Sequence, residues 1–333
     1  MTARVLVTGA AGFIGSHLIA ALATRGDEVV GIDNFDPFYP RAMKERNLRE
    51  VGHRPGLCLH EIDMLDVDAV AAHLTPDTVL VHLAAKAGVR PSLADPVGYA
   101  RTNVAGTAAV LEAARRAGTE RIVFGSSSSV YGDSTPVPFR EDATAIDPVS
   151  PYAATKRAGE LLVSALAPIH GFRVAALRFF TVYGPRQRPD LAIHAFARRM
   201  AAGQPLTLFG DGTQARDYTY CDDIVDGVVA AVDWTATARV GMDVFNLGGS
   251  RPMPLGTLVA ELSEALGMRP EVGWAPMQPG DVQRTCADPS KARAALGFEA
   301  RTEFGDGIRR FAAWFRMVDA EERRGVPDGG RKR

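Results

Sequence analysis

The chain has only three cysteines, Cys58, Cys221 and Cys286, in 333 residues. They are odd in number and far apart, and no Cys-x-x-Cys pair occurs. Neither a disulfide framework nor a metal site is expected; reduced thiols in a cytoplasmic protein are. A basic surplus is missing too: 38 Lys and Arg face 39 Asp and Glu, for a net charge of −1. Nucleic acid and anionic membranes select basic chains, so neither is an expected partner. No apolar run reaches membrane-spanning length, and the first strand pattern starts by Arg4, leaving no space for a signal peptide. No internal repeat is visible. What is present is an ordinary globular composition, 46% hydrophobic and 23% charged, with length enough for one large domain and a smaller one.

The first half alternates strand and helix signals. Val5-Leu6-Val7 is an apolar run that ends at glycines, and Ile14, Leu18, Ala21 and Leu22 then follow helical spacing up to Gly26. Glu28 to Asp33, Leu57 to Ile62, Val79 to Ala84, Arg121 to Ser126 and Val174 to Phe180 read as further strands, with helices near 97–117 and 152–168. That alternation predicts an α/β fold, a Rossmann-type doubly wound parallel sheet. After Phe180 turn signals crowd in, among them Gly184-Pro185 and Gly210-Asp211-Gly212. The expected division is a nucleotide-binding unit over 1–180 with returns near 222–247, interleaved with a smaller C-terminal α/β lobe over 181–221 and 248–320. Residues 321–333 are expected to form a charged, frayed tail.

Thr8-Gly9-Ala10-Ala11-Gly12-Phe13-Ile14-Gly15 falls between the first strand and the first helix. Gly9 permits the tight turn, Gly12 lets backbone approach a pyrophosphate, and Gly15 lets the helix sit close to the sheet. A dinucleotide is the expected ligand. Asp33 ends the second strand, where an acid binds the adenosine ribose hydroxyls and would repel a 2′-phosphate, which selects NAD over NADP. Asp63, after the third strand, has two readings from its position: an acid that reaches the adenine amine, or a simple loop acid.

Tyr152 and Lys156 stand at i and i+4, on one face of a helix. A cation there is expected to lower the phenol's pKa toward working pH, making it a base for a hydroxyl proton while NAD takes the hydride. Ser126 to Ser129 end a strand just before Val130-Tyr131-Gly132, so a hydroxyl can reach the reacting oxygen.

TGAAGFIG, VHLAA at 81–85, SSSSVYG and YAATK together resemble the extended short-chain dehydrogenase/reductases over essentially the whole chain. The resemblance implies a nucleotide-sugar enzyme with tightly held NAD. It assigns Ser127, Tyr152 and Lys156 to catalysis. Phe13, Ile14, Asn34, Leu83, Ala84, Ala85, Lys86 and Asn103 join the glycines, Asp33 and Asp63 around the cofactor. The helices near 97–117 and 152–168 match those that pair family members into homodimers.

Three chemistries in that family begin with oxidation at sugar C4. Its dehydratases use an acidic pair just after the catalytic hydroxyl, and its decarboxylases a glutamate before VYG. This chain has Ser128 and Ser129 there, which leaves 4-epimerisation. LRFFTVYGP, RDYTYCDDIVDG, MQPGDV, GIDNFDPFY and AGVRPSL are similar to the UDP-glucuronate 4-epimerases. The similarity implies that Ser128, Ser129, Thr181 and Arg188 hold a C6 carboxylate. It also implies that Arg90, Leu206, Arg216 and Asp281 bind the rest of the UDP-sugar, with uracil on the backbone around Leu206 to Phe209. The alternative is that these hydroxyls hold the C6 hydroxymethyl of UDP-glucose. One departure is Arg186-Gln187, where the glucuronate enzymes have Trp-Gly; this is expected to alter the loop flanking Arg188.

Overall fold

The computed structural model describes residues 2–143, 147–277 and 282–325. Its centre is a seven-stranded parallel sheet. β1 (Arg4–Thr8) is followed by α1 (Phe13–Arg25), β2 (Glu28–Asp33), α2 (Arg41–Val51), β3 (Leu57–Glu61), α3 (Val67–Ala71) and β4 (Thr78–His82). Val5, Leu6 and Val7 are wholly buried, as a strand covered on both faces requires. Then come α4 (Val89–Ala94), α5 (Pro96–Tyr99), a π-helical turn over Ala100–Ala105, and α6 (Gly106–Ala117). The helix expected near 97–117 is therefore three pieces, and π turns of this kind are frequent at functional sites.

β5 (Arg121–Ser127), α7 (Pro151–His170) and β6 (Arg173–Phe179) continue the sheet. α7 starts where its sequence dictates: Ser150 accepts the Ala153 amide at 3.2 Å and Pro151 takes the first turn. Beyond β6 lie β7 (Thr181–Tyr183), α8 (Ala192–Ala201), β8 (Leu206–Phe209), β9 (Ala215–Tyr220) and α9 (Cys221–Trp234). β10 (Gly241–Leu247) pairs with β6 at the edge of the large sheet. β11 (Pro252–Pro254), α10 (Leu255–Leu266), β12 (Val272–Ala275), α11 (Ser290–Leu296) and α12 (Phe304–Gly325) complete the chain.

The strand order β3-β2-β1-β4-β5-β6-β10 reverses direction between β1 and β4. In open parallel sheets the ligand crevice forms at the carboxyl ends of those two strands. Of the expected tail over 321–333, residues 321–325 continue α12, and residues 326–333 lie outside the described residues. α12 is helical through Gly325, and Arg46 reaches Glu322 at 2.9 Å, so long-range pairing holds residues that look like a solvated terminus. No helix among the described residues is long and apolar enough to cross a membrane.

Candidate active site

A cavity opens at the β1/β4 switch point. Gly9, Gly12, Phe13, Ile14 and Gly15 line one wall, Asp33 and Asn34 one end, and Leu83 to Lys86 the other wall, with Tyr152, Lys156 and Arg188 at its far end. The glycines are needed for close approach. Gly9 has φ +73°, and a Cβ there would lie 3.0 Å from the Ala84 backbone. A Cβ at Gly15 would fall inside the Gly9 carbonyl oxygen. The first turn of α1 thus presents bare amides to the cavity, and Asp33 stands where a ribose would lie, so these residues fit NAD.

Asp33 is more engaged than an isolated ribose acceptor. It accepts from the Ala11 and Phe35 amides at 3.2 and 2.8 Å and from Lys44 at 3.1 Å. Lys44 lines the same cavity; sequence offered no sign of it, because α2 meets the end of β2 only in the fold. Asp63 stands outside the lining but accepts from Asn34 Nδ2 at 3.1 Å, beside the lining residues Ile62 and Met64.

The Leu83–Lys86 wall is fixed by a buried relay. Thr8 Oγ1 accepts the Leu83 and Ala84 amides at 3.1 and 3.0 Å, which leaves its own proton for His82 Nδ1 at 2.8 Å. His82 Nε2 then donates to Thr107 at 3.2 Å, and Thr107 to the Asn103 carbonyl at 2.6 Å. Burial, with the Lys156 charge nearby, holds His82 neutral, its pKa down to about 3. Asn103, in the π turn, does not touch the cavity. It accepts the Lys86 amide at 2.8 Å and donates to the Lys86 carbonyl and to Thr155 at 2.9 Å each. Thr155 in turn donates to the Tyr152 carbonyl at 2.8 Å. Lys86 Nζ itself pairs with Asp95 at 3.0 Å.

Tyr152 stands in the first turn of α7, with Lys156 one turn on. Lys156 is expected to lower the phenol's pKa, but burial sets the direction for both groups. Lys156 Nζ donates to the Gly125 carbonyl at 2.7 Å, and burial lowers the ammonium to about 8, against the pull of Glu160. Burial raises the Tyr152 phenol above its ordinary value; a hydrogen bond with Ser127 and the Arg188 charge oppose that rise. Low dielectric around the phenol, which penalises its anion, outweighs the Ser127 hydrogen bond and the Arg188 charge.

The four serines divide. Ser126 turns into the core and donates to Glu160 at 2.6 Å. Ser127 shares a 3.1 Å bond with Ser129 and reaches Tyr152. Ser128 and Ser129 occupy the turn that follows and are partly exposed. Glu160, wholly buried, also takes two bonds of 2.8 Å from Arg178 and one of 2.9 Å from Arg157. This network was missed in the sequence, although Tyr152, Lys156 and Glu160 repeat at four-residue intervals on one helix face.

Arg188 meets Asp190 through two bonds of 3.0 and 2.8 Å and the Ala87 carbonyl at 3.3 Å. Arg186, expected to alter the loop flanking Arg188, turns away from the cavity. It pairs with Glu50 at 3.2 Å and reaches Ser16 at 3.3 Å, pinning the loop to α1 and α2. Thr181 starts β7, and Arg90 lies 4.8 Å from the Phe209 ring centroid. Arg216 is half-buried on β9, directed at the Ala215 and Gln283 carbonyls. The Leu206 side chain is wholly buried, and its amide donates to the Glu271 carbonyl at 2.8 Å. β8 pairs with β12 through Leu206 and Leu208, and Thr207 and Phe209 face outward in the segment expected to hold uracil. Asp281 lies outside the described residues.

The profile of the NAD dependent epimerase/dehydratase family matches residues 5–248. UDP-glucuronate 4-epimerase 3 of Arabidopsis thaliana is 41% identical over 328 residues, covering 93% of this chain and 76% of that protein. A UDP-glucuronic acid 4-epimerase from Bacillus cereus, solved with UDP-glucuronic acid and NAD, superposes with a TM-score of 0.88 at 36% identity, covering 95% of this chain and 99% of that one. The UDP-glucose 4-epimerase of Thermus thermophilus, solved with NAD, gives 0.81 at 33% identity, covering 94% and 99%.

Proposed function

The chain belongs to the NAD dependent epimerase/dehydratase family, and on that premise we propose that it interconverts UDP-glucuronate and UDP-galacturonate by 4-epimerisation. Gly9, Gly12, Gly15, Asp33 and the Leu83–Lys86 wall hold NAD, which when bound supplies reversible hydride acceptance at C4 and is not consumed. Tyr152 removes the proton of the sugar 4-hydroxyl, and the Ser127 hydroxyl stabilises the oxygen as it becomes a carbonyl. Lys156, anchored on Gly125, keeps a positive charge one helical turn away. The 4-keto sugar turns about its diphosphate link, and Tyr152 returns the proton to the opposite epimer. Thr207 and Phe209, with Arg216 and Asp281, are assigned to the uridine diphosphate.

The observation that carries the carboxylate assignment is Arg188, a cation in the cavity whose charge reaches Tyr152. Ser128, Ser129 and Thr181 supply hydroxyls to the same C6 group. A second reading, UDP-glucose and UDP-galactose, is favoured by the Asp190 carboxylate, which already neutralises Arg188. The test is to incubate the protein separately with UDP-glucuronate and UDP-glucose and resolve the products by chromatography. UDP-galacturonate is expected; exclusive turnover of UDP-glucose overturns the carboxylate assignment.

The same reading takes 1–180 with returns at 222–247 as the NAD unit and 181–221 with 248–320 as the UDP-sugar lobe. It makes the protein a cytoplasmic homodimer. Val97, Leu161 and Ile169, exposed apolar residues on α5 and α7, support the pairing.

A further inference from the structure

Three elements meet behind the glycine loop: α1, the amino end of α9, and the loop after β7. His17 Nε2 lies 2.9 Å from the Pro185 carbonyl oxygen. A carbonyl only accepts, so Nε2 carries the proton and Nδ1 of the neutral ring presents a lone pair. Nδ1 is 3.7 Å from Asp222 Oδ1, and Cys221 Sγ is 3.6 Å from the same oxygen. Donor atoms of all three residues lie within 4.8 Å of one another. Three ligating atoms therefore converge with one thiol proton among them.

We propose that His17 Nδ1, Cys221 Sγ and Asp222 Oδ1 form a site for a borderline-soft divalent cation of the zinc class. Bonds of about 2.3 Å to sulfur and about 2.0–2.2 Å to nitrogen and oxygen place tetrahedral ligands about 3.3–3.8 Å apart. The separations from Asp222 Oδ1, 3.6 Å to sulfur and 3.7 Å to Nδ1, fall in that range, and all three ligand atoms lie within 4.8 Å of one another. Binding releases the Cys221 proton to solvent, and thiolate and carboxylate together neutralise the ion beside a neutral imidazole. The Pro185 carbonyl on Nε2 is the outer partner that fixes a metal-bound histidine. Water takes the fourth position, on the side where Asp222 is exposed. Two cations border the site. Arg186 is drawn to Glu50 at 3.2 Å, and Arg310 lies 4.0 Å from Oδ2, the other Asp222 oxygen. With a single oxygen ligand from the protein, the site selects against magnesium and calcium. None of the three ligands lines the cofactor cavity, so the ion is separate from the chemistry. Its effect is to tie α1 and α9 to the loop that leads into Arg188.

The test uses the full-length protein, stripped with a chelator and titrated with Co²⁺. One equivalent is expected to bind with a thiolate-to-cobalt charge-transfer band in the near ultraviolet. Excess Zn²⁺ displaces it and excess Mg²⁺ does not. Cys221→Ser abolishes the band, and His17→Gln or Asp222→Asn weakens Co²⁺ binding at least tenfold. Cys58→Ser and Cys286→Ser leave it unchanged. The wild-type titration decides independently of how any variant folds: no band at saturating Co²⁺ overturns the proposal, as does a band that survives in folded Cys221→Ser.

Discussion

Glu160→Met is expected to destabilise the protein more than any surface change, and the reason lies in what it leaves behind. Glu160 is wholly buried and receives Ser126, Arg157 and both arms of Arg178, itself 2% exposed. Arg157 can turn its charge to solvent, being 32% exposed along its side chain. Arg178 cannot: it is sealed under the Tyr131 ring, 4.6 Å from the centroid, with Nη1 already lacking a hydrogen-bond partner among the described residues. Breaking a buried pair from one side costs about 3–5 kcal/mol, because the surviving charge stays buried. For a chain of this size the apparent Tm should fall by about 4–7 °C. The assay is thermal unfolding at fixed scan rate and fixed NAD, for Glu160→Met, Arg178→Met and the double variant. Removing both charges leaves no buried ion, so the double variant should be less destabilised than the sum of the singles by about 2 kcal/mol or more. Additivity within about 0.5 kcal/mol, or a single-variant loss under about 1 kcal/mol, would refute the reasoning. Turnover should fall in the single variants as well, since β5 also carries the Gly125 carbonyl that anchors Lys156, next to Ser126.

Tyr152→Phe should lower kcat by about 10²–10⁴-fold, the usual worth of a general base, while NAD content and UDP-sugar affinity stay near wild type; turnover near wild type would remove the proton-transfer role. Gly15→Ala forces a methyl against the Gly9 carbonyl, so the protein should be purified with substoichiometric NAD, measured as cofactor released on denaturation. The folded Lys156 pKa of about 8 is below its ordinary value of 10.5 because of burial. Between those values the unfolded chain holds a proton that the folded one has lost, so stability should rise with pH from about 8 to about 10.5, by at most about 3 kcal/mol. Lys156→Met should flatten that rise in denaturant titrations run across the window, and an unchanged slope would assign it elsewhere. His82, held neutral with a folded pKa of about 3, acts at the acid end. There the unfolded chain gains a proton below about 6.5 that the folded one refuses, so stability is lost as pH falls, and His82→Asn should shift acid unfolding to lower pH.

The elements that sequence determined are those whose physics is local. β1, the glycine turn and α1 are contiguous, and steric limits on three glycines make their purpose readable from a single stretch. Tyr152 and Lys156 share a face because a helix repeats every 3.6 residues, and Ser150 and Pro151 state where that helix begins. The sheet class follows from alternating patterns, and so does the position of Asp33 at a strand end. Tertiary structure alone decided where the charges go. Ser126 and Arg178 face each other because β5 and β6 pair in that register, and Glu160 meets them from the helix above. Arg188 reaches the cavity, and Arg186 leaves it, through contacts more than a hundred residues distant in sequence. His17, Cys221 and Asp222 carry no spacing motif, since their ligand atoms come from two helices and are oriented by a third segment. The depressed Lys156 and elevated Tyr152 likewise depend on burial, a property of the folded interior that the i, i+4 pattern does not contain.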